Sequence, residues 1–119
     1  MRHILSFDIA KDKSVYCFID QLRNVIINSS LIEHKKDEFD LLFNKVKEYS
    51  NLVVIVESNS IYHLPVENYF RFKGVDTVVI NPKLVKQFKD ILNKSKTDKL
   101  DCLKSLDVII VLLIIFIKN

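Results

Sequence analysis

Chain-breaking residues are nearly absent from this sequence. One glycine, Gly74, and two prolines, Pro65 and Pro82, occur in 119 residues. Tight turns are therefore few, and no flexible linker is visible. A single glycine also excludes the Gly-rich loops that cradle nucleotide phosphates. Cysteine is scarce too. Cys17 and Cys102 stand far apart, and make neither a CxxC metal motif nor a disulfide framework. The expectation is two unpaired thiols in a reducing cytosol, hence a cytoplasmic location. No secretory signal is read at the N-terminus, because strand-like sequence begins at His3 and meets Asp8 early. Arginine is outnumbered by fifteen lysines, a bias expected of an AT-rich coding sequence.

What is present argues for one folded domain. Apolar residues make up 49% of the chain, with eight Phe and four Tyr. That is enough to build a single core. The net charge of +3 is mild. Its distribution says more, since seven lysines fall between Lys83 and Lys104.

The pattern along the chain predicts three strands at 3–8, 14–20 and 24–29, with a polar hairpin connection at 9–13. Phe39, Leu42, Phe43, Val46 and Tyr49 then recur at helical spacing, predicting a helix over 37–49 with Asp37 as N-cap. Residues 52–57 are nearly all aliphatic, as in a strand buried on both faces. A helix is expected over 61–72, with Leu64, Val66, Tyr69, Phe70 and Phe72 available to pack. Pro65 is tolerated only in its first turn, and Gly74 is a natural stop. A fifth strand follows at 75–80, then a basic helix through about Leu92.

Four acidic residues stand out against this pattern. Asp8 and Glu57 each end an apolar strand-like run. Asp98 and Asp101 lie three apart, one turn apart on one face of a helix. Alone, each reads as a cap, a solvated strand-end acid or a salt-bridged helix face. Together they suit a hard divalent ion, Mg2+ (or Mn2+), which takes a few carboxylates plus substrate phosphates. Such ions activate the attacking oxygen and stabilise the leaving one in phosphodiester chemistry. Lys83, Lys86, Lys89, Lys94, Lys96 and Lys99 are the candidate phosphate contacts. Their binding would weaken steeply with salt as counterions are released. The blander reading of the same lysines is a solvated helix face. His3, His34 and His63 form no triad and receive no role.

Three meandering strands followed by helix–strand alternation indicate an α/β domain with a mixed five-stranded sheet flanked by helices. This is the element order of the ribonuclease-H-like (RuvC-like) fold, in which the first and fourth strands are neighbours. Actin-like kinases share the start of that order, but need the Gly-rich loops this chain lacks.

The chain resembles the N-terminal RuvC-like domain of the DEDD insertion-sequence transposases, relatives of the Piv DNA invertases. The resemblance is carried by Phe7-Asp-Ile-Ala-Lys-Asp-Lys13, by Val56-Glu-Ser-Asn-Ser-Ile-Tyr-His-Leu-Pro65, by Val79-Ile-Asn-Pro82 and by Lys96-Thr-Asp-Lys-Leu-Asp101. It implies that Asp8, Glu57, Asp98 and Asp101 are the acidic tetrad. It also implies DNA as substrate, a structured guide RNA, and homo-oligomers in the full-length family. Two departures are visible. Ser60 stands near where the family usually has glycine, and would be strained in a positive-φ turn. The family's second domain, with its nucleophilic serine, has no counterpart in these residues. The expectation is thus a truncated transposase domain over 1–103, inactive alone. A non-catalytic nucleic-acid-binding remnant is the alternative.

Residues 104–119 break the family pattern. Val108–Ile117 are ten consecutive apolar residues, too few for a bilayer, which needs ~20. No membrane partner is expected. The tail is read as non-native to the domain, through truncation or a frameshift.

Overall fold

The structure is a computed structural model that describes residues 2–22, 24–58, 60–81 and 83. The elements run β1 (His3–Ala10), β2 (Lys13–Asp20), β3 (Val25–Glu33), α1 (Lys36–Val46), β4 (Leu52–Glu57), α2 (Leu64–Phe72) and β5 (Asp76–Ile80). All of them lie in one compact unit, Met1–Ile80, and a second unit starts at Asn81. The expected basic helix beyond Lys83 and the apolar tail fall outside the described residues.

The five strands form one sheet in the order β3-β2-β1-β4-β5. Short connections make β1–β2 and β2–β3 antiparallel. The helical crossovers α1 and α2 make β1–β4 and β4–β5 parallel, as parallel neighbours require. A core cluster lies on one face. Leu5, Phe7, Ile9, Tyr16, Phe18, Val54 and Val56 meet Phe39, Leu42 and Val46 of α1 and Val66 and Phe70 of α2. Phe70 is fully buried, with its ring 5.7 Å from Phe7. Strand β4 is buried on both faces, as its aliphatic run predicts. Val53 through Val56 are all buried.

The helices depart from expectation in instructive ways. Helix α1 starts one residue earlier than predicted, and Asp37 is not its cap. Lys35 takes that position with extended backbone and no side-chain cap hydrogen bond. Asp37 and Glu38 instead sit in the first turn, where the helix dipole favours negative charge. Tyr49 lies beyond the helix, its ring 5.0 Å from both His3 and Phe18. Helix α2 starts at Leu64 rather than at residue 61. An earlier start would put the Pro65 ring against the carbonyl of Ile61. Phe72 does not pack: it is 86% exposed.

The predicted stop at Gly74 is a complete Schellman closure. Gly74 N–H donates to Arg71 O at 3.0 Å and Val75 N–H to Phe70 O at 3.0 Å. Gly74 has φ +79°, and Val75 packs back against the core. The expectation of free thiols is corrected at Cys17, which is disulfide-bonded.

Candidate functional site

Strands β1 and β4 set the geometry of the site. Their parallel register runs from His3–Leu52 to Phe7–Val56. Asp8 and Glu57 are the next residue on each strand. Phe7 and Val56 both face the helix-covered core. Side chains alternate across a sheet, so Asp8 and Glu57 share the opposite face. Neighbouring strands lie ~4.7–4.9 Å apart, which is close enough for two carboxylates to share one ion. Asp8 is exposed and Glu57 half-buried.

The position within the sheet is also informative. Going outward from the β1/β4 boundary, the chain order runs β2, β3 on one side and β5 on the other. Connections therefore leave in opposite directions at this point, and both carboxylates stand at the C-terminal ends of the strands that flank it. Open α/β sheets bind ligands at such switch points. The loop after Glu57 is tied to β5, since Ser58 N–H donates to Ile80 O at 2.9 Å. Ser60 follows with φ +53°, a left-handed backbone that strains a residue other than glycine. Tyr62 lies in the same loop and is partly exposed, so it is not a core residue.

Asp8 and Glu57 are thus brought together. Asp98, Asp101, Lys86, Lys89, Lys94, Lys96 and Lys99 fall outside the described residues. Lys83 is exposed, and its N–H donates to Asn81 Oδ1 at 2.8 Å. Among the described residues, no group of three His, Cys, Asp or Glu side chains is placed to hold a metal. The donor chemistry of the pair is nevertheless that of a hard divalent ion, with carboxylate oxygens only.

Comparison with known proteins gives a family and a fold. A family model for DEDD transposases of the IS110 type, described as Transposase, matches residues 5–107. The chain belongs to the DEDD transposase family. Among solved structures, the fowlpox virus Holliday junction resolvase matches with TM-score 0.52 and 15% identity, covering 96% of this chain and 99% of that one. At that identity the likeness is one of fold, and the fold is ribonuclease-H-like. The catalytic core domain of BIV integrase aligns with TM-score 0.42 and 12% identity, over 92% of this chain and 82% of its own. A search of the curated proteins found no match. No helix among the described residues of this family member is long and apolar enough to cross a membrane.

Two polar arrangements were not legible in the sequence. Ser14, buried in β2, hydrogen-bonds the His34 ring at 2.6 Å. Burial holds the His34 pKa below its usual value, against the opposing charge of Asp12. Tyr69 of α2 donates to Asp40 of α1, which also pairs with Lys36. That hydrogen bond from Tyr69, followed by the one from Lys36, keeps the Asp40 carboxyl below its ordinary range. Burial, then the Asp40 contact, pushes the Tyr69 phenol up. Both arrangements bridge elements distant in sequence, so no local spacing announces them. Lys11 and Lys13 belong to the polar hairpin connection that the sequence predicts, and follow the end of the strand that carries Asp8.

Proposed function

We propose that this chain is the metal-site domain of a DNA transposase, acting on DNA phosphodiesters. The observation that carries the reading is the placement of Asp8 and Glu57 on one face, at adjacent ends of parallel strands. Asp8, Glu57, Asp98 and Asp101 would hold Mg2+ (or Mn2+). The ion, when bound, supplies Lewis-acid stabilisation of charge on the phosphoryl oxygens. The residues themselves do three things. Asp8 and Glu57 offer paired acceptor oxygens from rigid strands, so little ordering entropy is lost on binding. Their shared negative charge repels a phosphate, a repulsion that a bound cation relieves. The lysines Lys83, Lys86, Lys89, Lys94, Lys96 and Lys99 supply phosphate contacts that fix the register of the duplex without reading sequence.

DNA is the proposed substrate. A structured guide RNA and a homo-oligomer are the further partners of the reading, with the cytoplasm as compartment. Residues 1–103 are the proposed domain and 104–119 an appended tail. The 119 residues are expected to bind metal without efficient cleavage, since the family's nucleophilic serine belongs to another domain. The test is incubation of the purified chain with supercoiled DNA and Mn2+. The expected result is no more than trace nicking. Efficient cleavage, abolished by Asp8→Asn, would overturn the inactive-alone part of the reading. The alternative, a binding remnant without a metal site, predicts DNA binding but no Mn2+ binding.

A further inference from the structure

We infer that the β1–β2 hairpin tip is a second phosphate-binding element, with Lys13 and Lys11 holding the nucleic-acid backbone beside Asp8. The inference rests on the DNA-processing reading above, and names residues that reading does not use.

The argument begins with register. Asp8 lies opposite Val15, and Ala10 lies opposite Lys13. Directly opposed residues in an antiparallel pair project from the same face. The other face at this end is fixed by Ile9 and Ser14, both buried. Lys13 is therefore on the face of Asp8, as its diagonal neighbour, at ~7–8 Å by strand geometry. Lys11 sits in the two-residue turn at the same end of the sheet. Both lysines are exposed.

The charge on Lys13 and Lys11 is also available. Neither forms an ion pair among the described residues. The carboxylate directly across from Lys13, on β3, is Glu33. Glu33 already pairs with Lys35 at 3.3 Å. The turn itself is held in place, since His34 N–H donates to Asp12 O at 3.0 Å. Two uncommitted cations thus stand on a fixed hairpin next to a pair of acids. A phosphodiester is anionic, and the acid pair alone repels it. Cations one step away along the same face offset that repulsion and favour a backbone running across β1. Charge complementarity therefore selects a nucleic-acid phosphate as the occupant.

The test measures binding of a fluorescein-labelled B-DNA duplex by the 119-residue chain, by anisotropy in metal-free buffer over a KCl series. Each lysine that neutralises a phosphate contributes ~0.9 to the slope of log K against log salt. Lys13→Ala is expected to lower that slope by about 0.9, and Lys11→Ala with Lys13→Ala by about twice that. Lys13→Arg keeps the wild-type slope. Lys45→Ala, an exposed lysine on α1, also keeps it, which separates a local contact from a general loss of charge. Both lysines are exposed, so the variants should retain the wild-type thermal transition. A wild-type slope in Lys13→Ala, or an equal loss in Lys45→Ala, overturns the inference and leaves the DNA reading standing. A wild-type chain that does not bind the duplex overturns both.

Discussion

Three described non-glycine residues hold left-handed backbone: Asp12, Asn51 and Ser60. Asp and Asn tolerate that region because their short side chains bond locally, whereas Ser60 has less compensation. Ser60→Gly is therefore expected to raise stability by about 0.5–1 kcal/mol in urea unfolding. Gly74→Ala should do the reverse, costing about 1 kcal/mol. A Cβ at Gly74 meets nothing within 4 Å, so that cost is backbone strain alone. An unchanged midpoint in both variants would contradict the assignment of strain to these turns.

His34 gives a pH prediction at the same scale. Its folded pKa lies below the ordinary histidine value of 6.5, chiefly because burial disfavours the charged ring. The unfolded chain therefore binds the proton more readily. Stability is fully present above pH ~6.5 and declines as pH falls below it, until the folded ring also protonates. His34→Gln should flatten the thermal midpoint between pH 7 and pH 5. A wild-type slope retained in His34→Gln would assign the effect to other groups.

Among the elements, α2 separates what periodicity reveals from what it does not. The helical spacing correctly placed Val66 and Phe70 in the core, but also admitted Phe72, which is 86% exposed. A stripe wide enough to include Phe72 ignores that the helix is short and presents only one narrow face to the sheet. Phe70→Ala should cost about 3–5 kcal/mol, as deletion of a fully buried aromatic does. Phe72→Ala should stay within ~0.5 kcal/mol, as surface changes do. Comparable losses in the two variants would mean that α2 is rotated from the orientation described. The start of the same helix at Leu64 was missed by three residues, because apolar spacing alone does not set the Pro65 ring against the carbonyl of Ile61. The α1–α2 tie between Asp40 and Tyr69 was not legible either, because it depends on how two separate helices come together.

For the whole molecule, the order of strands and helices could be read from period changes and from the few turn residues. The aliphatic run of β4 announced its double burial. Sheet topology was another matter. Nothing in the spacing of Asp8 and Glu57 says that their strands are neighbours; that came from resemblance, and the parallel β1–β4 register bears it out. The state of Cys17 was misread, since an isolated cysteine carries no spacing signal for pairing. The family match over residues 5–107 agrees with the motifs quoted from the sequence. The central claim concerns the acid pair at the sheet's switch point, and Mn2+ titration followed by electron paramagnetic resonance tests it most directly. The account predicts Mn2+ binding by the wild-type chain that is lost in Asp8→Asn and in Glu57→Gln, with the thermal transition of each variant retained. Mn2+ binding of wild-type strength in both folded variants would contradict it.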